Sequence, residues 1–332
     1  MPARSLAVGK IPPETLRKIV YPRTGRSNRR LLLGPGIGRD VAAVRYDRTL
    51  ILTADPITGT SKQIGEHSVH INANDIATTG ATPVWYICTV LLPPGTKEST
   101  LSSIMKGIDR ACKRLGITVA SGHTEATRGL DRPIISGFMI GEQKGRLPRA
   151  EDARVGDAIL LAKTAGIEGT AILASDFAKR LPKLPRNLIL RAQQFSRKIS
   201  IVREALAISR IPGVRVMHDP TEGGVLNACW ELSVSSGLGI DIWADRIPIS
   251  QETSRICESL RLDPLKLMSS GCLLAIVAQS SVDRVGEALR NLRVPMSIIG
   301  RVTRPREGRI YTKRGRRSRL VAVPQDELYK LA

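Results

Sequence analysis

The sequence of 332 residues predicts a fold of two α/β domains. This length exceeds what one hydrophobic core usually serves, and domains of about 150 residues are common. Short apolar runs alternate with amphipathic helical stretches in both halves, which is typical of layered α/β and α+β folds. Polar residues with a Pro and a Gly interrupt this pattern at 148–157, and we place the domain boundary there.

The first half is predicted as β-β-α-β-α-β-β, an α+β layer with its helices on one face of the sheet. The stretch 31–56 contains the loop GPGIG, but strand-like alternation rather than a helix follows it, which argues against a dinucleotide-binding fingerprint. Helices are expected after 65, ending at Gly80, and over 97–115, ending at Gly116. The remaining strands are expected at 84–93, 117–124 and 132–142.

The second half again alternates strands and helices. Strands are expected at 157–164, 272–278 and 297–303, and helices at 170–179 and 187–209. Residues 213–237 are predicted to form a strand, a turn and a helix, with Thr221 or a neighbour as the N-cap. The predicted organisation is a basic N-terminal segment 1–30, an N-terminal domain 31–148, a C-terminal domain 149–305 and a basic C-terminal segment 306–332.

The charge balance is strongly basic, with 51 Lys and Arg against 30 Asp and Glu and a formal net charge of +21. Such a field attracts anions without selecting among them. The basic residues concentrate at 22–30 and 301–319, which is compatible with a solvated surface, with nucleic-acid contact or with collection of phosphorylated ligands. Only 3% of residues are aromatic, which argues against stacking platforms for single-stranded nucleic acid.

The cysteines are scattered singly, without a CxxC motif. They are Cys88, Cys112, Cys229, Cys257 and Cys272. Neither a zinc ribbon nor a disulfide framework is indicated, and each is expected to be a small core residue. Because no apolar run is long enough to span a bilayer, we expect a cytoplasmic protein without membrane contact.

Several acidic residues stand where strands or helices meet turns. They are Asp40, Asp55, Asp75 and Asp219. Each alone reads as a turn or cap residue, whereas converging carboxylates would favour a bound hard cation. In HDPTEGGV, Gly223 and Gly224 open a helix whose free N–H groups either bind an anion or simply follow a tight turn.

Five motifs, taken in order, carry a family resemblance. They are LTADPI, HINANDIATTGATP, SGHTEATRGLDRPIISGFMIG, GDAILLAKTAGIEGTAIL and HDPTEGGV. Together they resemble the aminoimidazole ribonucleotide synthetase superfamily, most closely its hydrogenase-maturation branch, over roughly residues 31–305. The resemblance implies a two-domain PurM-like fold that dimerises through a barrel of its N-terminal domains, with ATP in a cleft between the domains.

The resemblance also implies the chemistry and its residues. The family transfers the ATP γ-phosphoryl group to a substrate oxygen, which requires positioning and Mg²⁺ rather than a nucleophilic triad. The metal ligands of the family match Asp40, Asp55, Asp75 and Asp219. Its nucleotide-binding positions match Asn74, Gly122, Thr124, Gly166, Gly169, Thr221, Gly223 and Gly224. The expected partners are a small-molecule or protein-bound acyl or amide substrate and a second copy of the chain, with nucleic acid less favoured.

The sequence departs from the family in two ways. It has neither the C-terminal cysteine of the maturation protein nor a cysteine before Cys88, as selenophosphate synthetase has, so neither specific reaction is expected. His123 stands where the family has an acid. Because residues two apart in a strand share a face, Glu125 would lie beside it, and we treat the pair as candidate catalytic residues.

Alternatives remain open for this pair and for the whole protein. Glu125 could supply the missing carboxylate, His123 could donate to a phosphate or substrate oxygen, or the pair could favour a softer metal such as manganese. As a whole, the chain is predicted to phosphorylate or to dehydrate or cyclise a substrate. The alternatives are a small-molecule kinase resembling thiamine-monophosphate kinase and a non-catalytic ATP-binding maturation scaffold.

Overall fold

The computed structural model describes residues 13–15, 17, 30–33, 36–39, 42–58, 60 and 63–331. The predicted basic segment 1–30 therefore lies almost wholly outside the described residues, where only the short helix α1 (Pro13–Thr15), residue 17 and residue 30 are placed. No helix in the described ranges combines the length and apolar character that a membrane span requires.

The first domain is a six-stranded sheet covered on one face by two helices. Its strands are β1 (Leu31–Leu33), β2 (Ala42–Arg45), β3 (Thr49–Ile57), β4 (Thr82–Leu92), β5 (Thr118–Ala126) and β6 (Ile134–Gln143). Their order is β1-β2-β3-β6-β4-β5, and β5 pairs with β4 in parallel at the edge. The helices are α2 (Ile64–Thr78) and α3 (Glu98–Leu115), which confirms the predicted α+β layer.

The second domain is built around a seven-stranded sheet of order β13-β12-β9-β11-β7-β10-β8. Its strands are β7 (Ala158–Ala162), β8 (Val214–His218), β9 (Gly239–Trp243), β10 (Leu273–Val277), β11 (Met296–Thr303), β12 (Arg309–Lys313) and β13 (Arg316–Arg319). Its helices are α4 (Ile167–Asp176), α5 (Arg186–Gln193), α6 (Val202–Ser209), α7 (Gly224–Ser236), α8 (Gln251–Leu260) and α9 (Val282–Asn291). Strands β12 and β13 belong to residues 306–332, so much of that basic segment continues this sheet.

The helical stretch predicted over 187–209 is helical but is not one continuous helix. The structure has α5, a 3-10 turn over Gln194–Lys198 and then α6. The Nζ of Lys163 donates to the carbonyl oxygens of Lys198, at 3.2 Å, and Ser200, at 2.7 Å. These carbonyls point to a side chain from another part of the chain, and the helix is interrupted there.

The predicted N-cap of α7, Thr221 or a neighbour, is the neighbour Gly223 in the structure, which has no side chain to accept a hydrogen bond. Gly223 has a φ of 78°, a left-handed conformation that glycine adopts without steric cost. Thr221 contributes its backbone instead, since its carbonyl accepts the N–H of Gly224 at 3.1 Å.

Helix α2 lies at the centre of the molecule, and every residue in it except Glu66 is buried. It packs against the first sheet, against α3 and against α6 of the second domain. Gly65 permits the close crossing with α3, because a Cβ at this position would collide with the carbonyl oxygen of Ile104. A helix enclosed on all sides in this way needs partners for each of its polar side chains.

Asn74 on α2 joins the two domains. Its Nδ2 donates to the carbonyl of Ile199 and to Oδ2 of Asp219, both at 2.9 Å, and its Oδ1 accepts the N–H of Ile201 at 2.9 Å. The side chain is fully buried and all of these partners belong to the second domain. Asn74, a predicted nucleotide-binding residue, thus also connects the two domains, a structural role that the sequence had not indicated.

Replacing Asn74 by Ala should therefore destabilise the whole chain. The change leaves three buried groups of the second domain without their partner, and we expect the free energy of unfolding to fall by about 2 to 4 kcal/mol. Urea denaturation measures this loss. The matched control is Asn187→Ala, at an exposed position of α5, which should change stability by less than about 0.5 kcal/mol. Equal effects of the two substitutions would contradict the interdomain role.

His67 on α2 gives a second test, based on pH. Burial, with a smaller contribution from His70, lowers the pKa of His67 to about 3, and neither ring nitrogen has a hydrogen-bond partner within the described residues. The folded state thus keeps this ring neutral while the unfolded chain protonates it below about pH 6.5. The contribution of the neutral His67 ring to the free energy of unfolding is fully present above pH 6.5 and is lost as the pH falls toward 3.

Between pH 7.5 and pH 5, His67 should lower the free energy of unfolding by about 2 kcal/mol. Urea denaturation of the wild type and of His67→Leu at the two pH values measures it. The variant should lose about 2 kcal/mol less than the wild type over this interval. Parallel losses in the two proteins would show that His67 is protonated in the folded state.

Candidate functional site

A cavity of about 330 Å³ opens between the two domains. The first domain contributes the end of β3 and one face of α2, and the second contributes the start of α4, the turn before α7 and the C-terminal segment. Its polar wall residues are Arg39, Asp55, Thr58, Thr60, Asp75, Glu168, Thr221, Glu222, Ser270 and Tyr329. Because carboxylates dominate this wall, we refer to it as the acidic cavity.

The two carboxylates from the first domain are held by contacts between α2 and β3. The Oδ1 of Asn72 accepts the N–H of Asp55 at 3.0 Å, and its Nδ2 donates to the Asp55 carbonyl at 3.3 Å. The Oγ1 of Thr53 donates to Oδ2 of Asp75 at 2.8 Å. The motifs LTADPI and HINANDIA thus meet side by side, and they bring Asp55 and Asp75 to one cavity.

The second domain adds buried acids, of which Glu168 lines the cavity and Asp326 does not. Glu168 is 3% exposed, and burial raises its pKa to about 8, with further contributions from Asp219, Asp326 and Glu222. Burial also raises the pKa of Asp326 to about 6. Concentrated carboxylates of this kind repel one another, and a bound cation relieves that repulsion.

Sequence reasoning missed several residues of this wall. Glu168 and Glu222 lie inside the motifs AGIEGT and HDPTEGG, so these motifs contain the signal for both acids. Tyr329, which lines the cavity, and Asp326, which does not, belong to a segment without any motif. Asp326 accepts the N–H of Gly223 at 2.7 Å, and Tyr329 Oη donates to Oε1 of Glu222 at 2.8 Å.

The structure describes three of the four predicted metal ligands. Asp55 and Asp75 line the acidic cavity, whereas Asp219 is buried beside Asn74 and does not line it. Asp40 lies outside the described residues. In the described part of the chain, no group of three His, Cys, Asp or Glu side chains is arranged to hold a metal ion.

The donor set nevertheless fits Mg²⁺ as it binds beside a nucleotide. Mg²⁺ prefers oxygen ligands, and in such sites it is usually held through one or two carboxylates together with substrate phosphates and water. Asp55 and Asp75 supply two carboxylates at the cavity wall. The assignment of Mg²⁺ to them remains a prediction, and so does the role of Asp219.

Several of the predicted nucleotide-binding glycines are closely packed or hydrogen-bonded within the chain. Gly169 leaves room for the Leu267 side chain, and a Cβ at Gly224 would meet the carbonyls of Leu265 and Leu267. The N–H of Gly166 donates to Oγ of Ser269 at 2.8 Å. The N–H of Gly223 faces the Asp326 carboxylate. Their contact with a nucleotide stays a prediction, and Thr221 alone of this set lines the acidic cavity.

The predicted catalytic pair lies on the edge strand β5, with Gly122 and Thr124 beside it. The Nε2 of His123 and Oε2 of Glu125 are 3.0 Å apart, which confirms that the two side chains share a face. The side chains are 65% and 48% exposed, and Thr127 Oγ1 donates to Glu125 Oε1 at 2.6 Å. Within one chain, neither residue lines the acidic cavity, and their catalytic role stays a prediction.

Two mixed α/β domains with an acidic cavity between them define a class of two-domain proteins. Sequence comparison with known families identifies this class. Residues 38–143 match the N-terminal domain of the AIR synthase related protein family, and residues 154–313 match its C-terminal domain. The chain belongs to this family.

The relatives within the family have different activities. A protein named for hydrogenase expression/formation in Methanocaldococcus jannaschii is 32% identical over 276 residues, 79% of this chain and 78% of the relative. The carbamoyl dehydratase HypE of Cupriavidus necator is 33% identical over 231 residues, 68% of this chain and 63% of the relative. The thiamine-monophosphate kinase of Pyrococcus horikoshii is 29% identical over 288 residues, 84% and 86% of the two chains.

A solved structure shares the fold. The hydrogenase maturation protein HypE in complex with ATP superposes with a TM-score of 0.74 at 23% identity, and the match covers 89% of this chain and 92% of that one. The two-domain PurM-like architecture that the motifs implied is thereby confirmed.

Proposed function

We propose that the chain is an ATP-dependent enzyme that transfers the γ-phosphoryl group of ATP to a substrate oxygen. The transfer either phosphorylates the substrate or activates it for dehydration or cyclisation. The observation that carries the proposal is the convergence of Asp55 and Asp75 on the acidic cavity between the domains. The carbamoyl dehydratase and the kinase among the relatives, and the HypE structure with ATP, support it.

The residues of the cavity suit this reaction. Phosphoryl transfer asks the protein mainly for positioning and for neutralisation of charge. Mg²⁺, held by Asp55 and Asp75, would supply the charge neutralisation at the phosphates. Thr53 and Asn72 fix the carboxylate of Asp75 and the backbone of Asp55, so these groups need little rearrangement when the ligand arrives.

The acceptor oxygen does not belong to a carbamoyl group on one of the five cysteines of this sequence. All five cysteines are buried. Burial raises the pKa of each thiol, as for Cys229 at about 12 and for Cys272, so they remain protonated at neutral pH. None of them therefore offers a reactive thiol for carbamoylation of the kind that precedes dehydration of a thiol-bound group.

A small-molecule kinase is the second candidate. The match to a thiamine-monophosphate kinase extends over more of this chain than the match to the carbamoyl dehydratase does. A screen of metabolite extracts for ATP consumption, followed by mass spectrometry of the product, separates the candidates. A product heavier by one phosphate identifies a kinase, whereas loss of water with release of phosphate identifies a dehydratase or cyclase. ATP binding without turnover on any substrate would leave only the scaffold.

We also propose that the chain forms a homodimer through the outer face of its first sheet. The inner face of β4, for example Tyr86, is fully buried beneath the helices. The opposite face remains open, with Trp85 on β4 at 43% and Phe138 on β6 at 42% exposure. Exposed aromatic residues on one sheet face are typical of an interface, and a second copy of the sheet presents the same residues.

The dimer has a consequence for the predicted catalytic pair. Every residue of β5 is exposed, including Val119 at 43%. This edge adjoins the proposed interface, because β5 pairs with β4. His123 and Glu125 would then face the second copy, so their role has to be tested in the dimer rather than inferred from one chain.

Mg²⁺-dependent ATP binding should require both carboxylates of the first domain. We expect Asp55→Asn and Asp75→Asn each to weaken ATP binding in the presence of Mg²⁺ by roughly tenfold or more, because each removes an anionic oxygen ligand. Isothermal titration calorimetry with Mg²⁺ and with EDTA measures this. Asp283→Asn, at an exposed position of α9, is the matched control and should bind like the wild type. Unchanged affinity in both test variants would refute the assignment.

Phe138→Glu should convert the dimer into a monomer. The substitution places a charge in the centre of the proposed interface, where it would be desolvated without a partner. Size-exclusion chromatography with light scattering gives the mass directly. Leu190→Glu, which changes a similarly exposed apolar residue on α5, should leave the dimer intact. A monomeric wild type, or a dimeric Phe138→Glu variant, would contradict the proposal.

A further inference from the structure

A second cavity, of about 520 Å³, adjoins the same two helices that line the acidic cavity. The two cavities share no lining residue, but neighbouring residues line them. On α2, Ile71 faces the acidic cavity and His70 the second one. At the start of α4, Glu168 lines the acidic cavity and Ile167 lines the second one.

This second cavity is strongly basic. Its cationic lining residues are Arg114, Lys163, Arg197, Lys198, Arg203 and Arg293. Glu204 is its one acidic lining residue within the described ranges, and it is already paired with Lys163 at 2.9 Å. Across the same ranges, no carboxylate forms an ion pair with any of the four arginines. The positive charge of this basic cavity is therefore largely uncompensated.

A buried polar group also faces the basic cavity without a partner. His70 lines it, is only 2% exposed, and its Nδ1 has no hydrogen-bond partner among the described residues. Buried polar groups in folded proteins are nearly always hydrogen-bonded. The Nδ1 of this imidazole therefore lacks a hydrogen-bonding partner, an acceptor or a donor according to the tautomer, at the wall of a cavity lined by arginines.

Part of the remaining wall is apolar, and two small polar residues, Thr164 and Ser200, complete it. The apolar residues are Leu115, Ile167, Val294 and Pro295. The volume exceeds that of an inorganic phosphate ion, so the cavity has room for an organic group beside an anionic one. Arginine side chains bind phosphate through paired N–H donors, and they do so better than lysine where geometry matters.

We propose that the basic cavity is a second ligand site, distinct from the nucleotide site, that binds a small organic phosphate. The arginines hold the phosphate, His70 donates a hydrogen bond at the cavity wall, and Leu115 with Val294 contacts the organic body. The site does not depend on the assignment of ATP to the acidic cavity.

Calorimetric titration with phenyl phosphate, in EDTA to exclude metal-dependent binding, tests the proposal. The wild type should bind phenyl phosphate more tightly than inorganic phosphate. The double variant Arg114→Gln/Arg203→Gln should lose at least roughly tenfold in affinity. The control Arg306→Gln/Arg316→Gln removes the same charge at exposed positions outside the cavity and should bind like the wild type. Asp75→Asn should also bind normally, which separates this site from the proposed nucleotide site.

His70→Leu provides an independent measurement. If the ring serves a ligand, this variant should weaken phenyl phosphate binding while the melting temperature without ligand stays equal to or above that of the wild type, since an unpaired polar group is removed. Three results would overturn the proposal. They are no binding to the wild type, wild-type binding by the Arg114→Gln/Arg203→Gln variant, and equal loss in this variant and in the Arg306→Gln/Arg316→Gln control.

Discussion

The arrangement of the two domains depends on the buried helix α2, and within this helix on the side chain of Asn74. This amide joins α2 to the backbone around Ile199 and Ile201 and to the carboxylate of Asp219. Because α2 also holds the end of β3 through Asn72, the same helix fixes both the arrangement of the domains and the position of Asp55. A disturbance of α2 would therefore affect stability and ligand binding together.

The structure places opposite charges at neighbouring cavities. The acidic cavity, with Asp55, Asp75 and Glu168, suits a cation that in turn binds phosphates, whereas the basic cavity suits an anion directly. Adjacent residues on α2 and α4 line the two, so both ligands would contact the same rigid elements. This arrangement is suited to an enzyme that brings together a nucleotide and a phosphorylated second ligand.

Much of the fold and part of the site could be predicted from the sequence. Periodicity located the strands and helices of the first domain, because these features depend on residues close together in the chain. The family resemblance supplied Asp55 and Asp75, which both line the acidic cavity, and their role as metal ligands stays a prediction. The break between α5 and α6 was not predicted, and the carbonyls there accept hydrogen bonds from Lys163, which lies far away in the sequence. Likewise, no local pattern could reveal that Asp326 would accept the N–H of Gly223.

A crystal structure with Mg²⁺ and a non-hydrolysable ATP analogue tests the central claim most directly, namely that the acidic cavity is the nucleotide site. We expect the phosphates of the analogue between the domains, with the metal ion coordinated by Asp55 and Asp75. The opposite result would place the phosphates in the basic cavity, against Arg114 and Arg203, with no ion at the two aspartates. That outcome would contradict the assignment of ATP to the acidic cavity.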